Sequence, residues 1–233
     1  MVDPLADLAR LEGVPSAVVS ARDAVDAVLR DRGMRAISAE QSATALLLGA
    51  RASAALTDDP DRWLAGSVRL STELITISEL IRVSPGQAMA RAHTLVAHGQ
   101  VPDDELGRVR SEESISARMR GLNTLLTATT EAPALILAAV AHAEIATIGP
   151  FGTADTIIAR AVEHLVLIAS GVDPRAVIVP EAGHLELEPA YRDALVGYQS
   201  GTVAGVRDWL LHCTRALSSG AELSPAADRL KRK

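Results

Sequence analysis

His142-Ala-Glu-Ile-Ala-Thr-Ile-Gly149-Pro-Phe-Gly-Thr-Ala-Asp155-Thr-Ile-Ile-Ala-Arg160 is the stretch whose reading decides the fold. An apolar helical pattern runs from Ala134 to Ile148 and stops at Gly149-Pro150. The chain turns through Phe151 to Ala154, and a second apolar helix starts near Asp155. A helix, a short glycine-containing turn and a new helix together make a common anion site. The new helix offers unpaired N–H groups and the positive end of its dipole. Here the turn is in place, but the side chains expected to do chemistry on it are missing.

Working outward, 233 residues can bury a substantial core, enough for one domain or one domain with a helical extension. With 48% hydrophobic and 22% charged residues, most of the chain is expected to be folded. The net charge is −6 and the one basic block is Lys231-Arg232-Lys233, which argues against a nucleic-acid surface. A single cysteine, Cys213, excludes an internal disulfide framework and suits a reducing compartment. Asp3 and Asp7 stand where a signal peptide would carry basic residues. The longest apolar run, Ala132 to Ala141, is too short to span a bilayer. A cytoplasmic protein is the expectation.

Upstream of the turn the pattern is helical throughout. Pro15-Ser16 opens a helix closed by Gly33, and Ser38-Ala-Glu-Gln41 reads as a capping box. Asp58-Asp59-Pro60 breaks the chain before an apolar stretch from Trp63 to Ile81. Ser84-Pro85-Gly-Gln87 reads as a second capping box. Residues 111–125 show little period-2 alternation, and Ser114 to Ala117 fits a short strand or a helix equally well. Downstream, Val177-Ile-Val179 lies in a proline-bounded loop that carries His184, followed by a helix with Tyr191 and Tyr198. A last helix carries Trp209 and Leu217, and residues 218–233 read as a polar tail.

The segment 149–160 resembles the signature of the Fic (Fido) family, His-Pro-Phe-x-Asp/Glu-Gly-Asn-Gly-Arg-x-x-Arg. Aligned on Pro150, Phe151 and Arg160, this chain has Gly149 in place of the motif histidine and Thr153 in place of the metal-binding acid. Ala154, Asp155 and Thr156 replace Gly-Asn-Gly, and Ile157 replaces the phosphate-holding arginine. Weaker similarity extends over roughly residues 82–217. It includes Gly-x-x-Arg at Gly107 to Arg110, where a flap would follow in the family. The resemblance implies an all-α fold: a Fic-like core over 83–217, an N-terminal helical region over 1–82 and at most a very short β-hairpin.

The same resemblance implies transfer of AMP to a protein side chain, with ATP and magnesium, and this chain lacks the means. Losing a general base costs about 10²–10⁴-fold, and losing a charge-neutralising arginine about 10³–10⁵-fold. Gly149 has no side chain to substitute. Asp155 adds a carboxylate at the mouth of the phosphate site, where it can cap the helix and take the phosphate's place. His142 lies seven residues before Gly149, about 10 Å along the helix and too far to replace the missing base. His142 and His164 read as packing residues, and His184 with Glu181 and Glu186 is too sparse for a metal site. Gly152, Thr153, Thr156 and Arg160 are the candidates for residual anion contact. The expectation is a catalytically degenerate module with no cofactor, pairing with itself or another protein through helical surfaces. The alternative is a nucleotide- or phosphate-binding protein, or an unconventional transferase, that uses the remodelled turn.

Overall fold

The computed structural model describes residues 3–30 and 37–227. Gly33, the expected helix stop, lies outside them. Among the described residues are eleven α-helices, one short 3-10 turn and no strand beyond an isolated bridge between His98 and Val101.

The centre of the molecule is α7 (Ala134–Ile148) with α8 (Asp155–Ala169) packed along it. Every residue of α7 from Leu135 to Ala143 is buried, and so is every residue of α8 from Ile157 to Ile168. A helix that is apolar all round has no solvent face to turn outward, so both helices have neighbours on every side. On one side, α3 (Ala39–Ala55), α4 (Pro60–Ile81) and α5 (Pro85–Ala97) form successive antiparallel neighbours, and α4 and α5 both reach α8. On another side, α11 (Val203–Glu222) packs on α7 and carries α2 (Val14–Arg30) on its outer face. α6 (Glu113–Thr127), α9 (Pro180–Glu186) and α10 (Glu188–Gln199) close the remaining sides, and α1 (Pro4–Leu8) touches α7.

Local signals explain several boundaries. The capping box at Ser38 forms with both bonds, Gln41 N–H to the Ser38 hydroxyl and Ser38 N–H to the Gln41 side chain. Ser84 makes no such bond, so Pro85 alone marks the start of α5. Residues 113–127 are helical, which settles the ambiguity at Ser114–Ala117. His184 lies on α9 rather than in a loop, because Pro180 takes its favoured first-turn position. Gly183 lets α9 approach α11 closely: a Cβ there would lie 1.8 Å from the Ala216 carbonyl oxygen. Of the stretch expected as a polar tail, residues 218–227 are packed instead, and 228–233 lie outside the described residues. α11 runs through Glu222, and Ser224, Ala226 and Ala227 are buried, with the Ser224 hydroxyl bonded to the Val177 carbonyl.

Candidate functional site

Gly149 ends α7 in the left-handed conformation, φ 60° and ψ 57°, with its N–H on the Ile145 carbonyl. This is the usual glycine stop of a helix. Pro150 and Phe151 follow, Ala154 is again left-handed (φ 56°), and α8 begins at Asp155.

The polar groups of the turn are met from within the chain. The Phe151 N–H donates to Asp155 Oδ1 at 2.9 Å. The Arg110 backbone N–H donates to the Pro150 carbonyl at 2.8 Å. The Arg110 guanidinium reaches the Gly149 carbonyl at 3.2 Å and pairs with Glu112 at 2.7 Å. Phe151 is buried, with its ring stacked on His93 of α5 at 4.3 Å between centroids. Gly107 N–H donates to His93 Nδ1, so the ring proton is on Nε2 and is given to the Thr153 hydroxyl at 3.0 Å. Burial pushes the Asp155 carboxyl up to about 6, opposed by the Phe151 and Gly152 backbones and by Arg110. Of the candidates for residual anion contact, Thr153 is therefore engaged by His93. Arg160 faces away from the turn: it is 1% exposed and donates to the Ser53 hydroxyl and carbonyl and to Tyr191. Magnesium, which the Fic resemblance implies, finds no acid at position 153, so no step through it follows from these residues.

Beneath the turn, α7–α11 bring together a polar network that sequence reading did not assemble. Arg160 donates to the Tyr191 oxygen at 3.2 Å. The Tyr191 hydroxyl therefore gives its own hydrogen to His142 Nε2, 3.0 Å away. That places the His142 proton on Nδ1, donated to Glu163 Oε2 at 2.5 Å. His184 Nε2 donates to the same oxygen at 2.8 Å, and its Nδ1 meets His212 Nε2 at 3.0 Å. His142, His184 and His212 are all fully buried. Burial pushes His142 down to about 4 and His212 down to about 3, so both are neutral at pH 7. Burial alone would raise Glu163, but His184 and the two imidazole hydrogen bonds outweigh it and hold the carboxyl below its usual range. The Glu163 carboxylate and the Arg160 guanidinium lie at opposite ends of this chain of bonds, linked through His142 and Tyr191.

His142 Nδ1, Glu163 Oε2 and His184 Nε2 lie within 4.8 Å of one another, a set of donors that suits a metal ion. Their spacing favours hydrogen bonds. Ligand atoms around a tetrahedral ion with bonds of about 2.1 Å stand about 3.4 Å apart, wider than either ring-to-carboxylate distance here. A divalent ion would also add two positive charges to a site with a single carboxylate.

The residues that sequence reading missed are Glu163, His93 and His212; Arg110 was noted only as part of a loop. The available signal was compositional: six histidines against five aromatic side chains of Phe, Tyr and Trp, in a chain with a large core.

The helices define a Fic-like all-α architecture. Consistent with this, the structure is similar to the crystal structure of a Fic family protein from Desulfovibrio desulfuricans G20, with a TM-score of 0.64 and 16% identity. The similarity covers 93% of this chain and 75% of that one. No family model and no curated protein matches the sequence.

Proposed function

We propose that this chain is a catalytically degenerate Fic-fold protein that serves as a regulatory or protein-interaction module without a cofactor. One observation carries the reading: Asp155 occupies the Phe151 N–H that opens the anion-binding turn. Arg110 covers the same turn, and its charge serves Glu112 and the Gly149 carbonyl. Missing chemistry supports the same reading. Gly149 has no side chain to act as a base, Thr153 has no charge to hold magnesium, and Ile157 is buried where a phosphate-holding arginine would stand. Among the described residues no helix is long and apolar enough to cross a membrane. We place the protein in the cytoplasm, with a protein partner or a second copy of itself docking on helical surfaces.

The test is calorimetric titration of the whole protein with ATP, with and without magnesium, repeated on Asp155→Asn. No heat from the wild type is expected. Binding by Asp155→Asn alone would locate the obstruction in one carboxylate. Micromolar binding by the wild type would overturn the proposal in favour of a nucleotide-binding role.

A further inference from the structure

Between α3, α4, α8 and α9 lies a void of about 20 Å³, room for a group of one heavy atom. Most of its wall is apolar, but Ser67, His164 and Glu181 also border it. Each of the three carries a buried polar atom without a partner: Ser67 Oγ, His164 Nε2 and Glu181 Oε2. The residues are 3%, 2% and 6% exposed. The second carboxylate oxygen is accounted for, since Glu181 Oε1 meets His164 Nδ1 at 3.0 Å. The unpartnered oxygen faces α3, where a Cβ on Gly49 would stand 2.8 Å from it. A buried polar atom left unmet is costly, and three residues carrying such atoms border this one void, with His164 Nε2 lying 4.0 Å from Asp173 Oδ2 at its edge.

Leu46 and Ser71 border this void and also a second, much larger space. That space is a groove of about 620 Å³ between α3 and α4, within the size range of small-molecule sites. Its walls are mostly small or apolar, with Ala39, Ser42 and Ala43 leaving room and Leu47 and Ile75 half-exposed along it, while Thr72 and Arg175 add polar groups to its lining. The groove and the polar void thus lie on either side of one thin partition.

We propose that the groove binds a small, largely apolar alcohol, whose hydroxyl passes between Leu46 and Ser71 into the void and donates to Glu181 Oε2 while accepting from Ser67 Oγ or His164 Nε2. The chemistry of the inner end selects the hydroxyl. A carboxylate would meet Glu181, with Asp173 close by at 4.0 Å from His164 Nε2. An ether cannot donate to the free carboxylate oxygen. An ammonium has three donors and no acceptor, so it could meet Glu181 Oε2 but could not accept from Ser67 or His164. The inference stands independently of whether the Phe151–Asp155 turn takes a nucleotide.

The experiment is a methyl-NMR titration of the full chain with 1-octanol, octyl methyl ether and octanoate. Saturable shifts at the Leu46, Leu47 and Ile75 methyls are expected with octanol, and binding at least tenfold weaker with the other two. Ser71→Leu, which plugs the passage, should abolish saturation; Ser42→Trp, which fills the half-buried groove wall, should do the same if Ser71→Leu fails to fold. No saturation by octanol in the wild type would show a water-filled void only and would overturn the proposal. Equal affinity for the ether, or unchanged octanol binding by Ser42→Trp, would also overturn it.

Discussion

Replacing Glu163 with leucine should cost this protein about 4 kcal/mol. The carboxylate oxygen Oε2 accepts from His142 Nδ1 and His184 Nε2, and neither nitrogen has another acceptor in the core. Leucine is close in volume but leaves two buried N–H groups unmet, at about 1–3 kcal/mol each. It also removes the only carboxylate of the network, and hydrogen bonds to a charged group contribute about 1.5–3 kcal/mol each. These are overlapping descriptions of one loss, so they are not summed. For 233 residues the unfolding entropy is about 0.5 kcal/mol/K, and 4 kcal/mol corresponds to a fall in Tm of about 8 °C. Thermal unfolding followed by far-UV circular dichroism measures this directly. Glu163→Gln keeps an acceptor oxygen and loses only the charge, so it should fall between wild type and Glu163→Leu. The double variant His142→Phe/Glu163→Leu removes one stranded donor and should recover at least ~1 kcal/mol relative to additivity. A fall of less than 2 °C for Glu163→Leu would refute the claim that the network rests on this carboxylate.

Three further outcomes are expected. First, His142 takes up a proton near pH 4 in the fold but near 6.5 when unfolded. Its contribution is therefore full above about pH 6.5 and is lost as pH falls toward 4, by about 3 kcal/mol. Glu163, held below its usual range, works in the same direction at still lower pH. Tm measured from pH 8 to 4 should fall less in His142→Phe than in the wild type; His212, pushed down to about 3, adds to the fall and Asp155, pushed up to about 6, opposes it. Second, Gly183→Ala would place a methyl group 1.8 Å from the Ala216 carbonyl, whereas a Cβ at Gly121 meets nothing within 4 Å. Urea unfolding should show a loss above about 3 kcal/mol for the first, as α9 is pushed off α11. The second should change stability by less than about 1 kcal/mol, in the stabilising direction, because alanine is the better helix former. Third, placing a histidine at the end of α7 as Gly149→His should not create AMP transfer in a radiolabel assay. It should lower Tm by a few degrees, since position 149 is left-handed and its Cβ would face Asp155 and Arg110.

Much of the helical framework was legible in the sequence. The apolar run from Ala134 ends at Ile148 because Gly149-Pro150 ends it, and both boundaries of α7 fall where the pattern places them. The break at Asp58-Asp59-Pro60 and the box at Ser38 work through bonds between residues three apart, so adjacent residue types suffice to read them. The turn itself was legible because Gly149-Pro150 ends one helix and the apolar pattern resumes near Asp155. Signals weaker than these failed where tertiary contacts decided. Ser84 has a capping side chain but no bond. Residues 218–227 look polar, yet they are held by Val177 and by the close contact of α9 with α11.

By itself, then, the amino-acid order determined an all-helical chain, the position of its central pair and the identity of the residues at the turn between them. Each of these depends on spacing of 3.6 residues, on local capping or on which side chain is present. Only the tertiary structure decided what the remaining polar residues do. His142, Glu163, His184, Tyr191 and Arg160 lie 3 to 49 residues apart along the chain but share one compartment from which water is excluded. Whether such groups are neutral or charged, donors or acceptors, follows from their burial and their partners, and those are properties of the packed helices rather than of any segment.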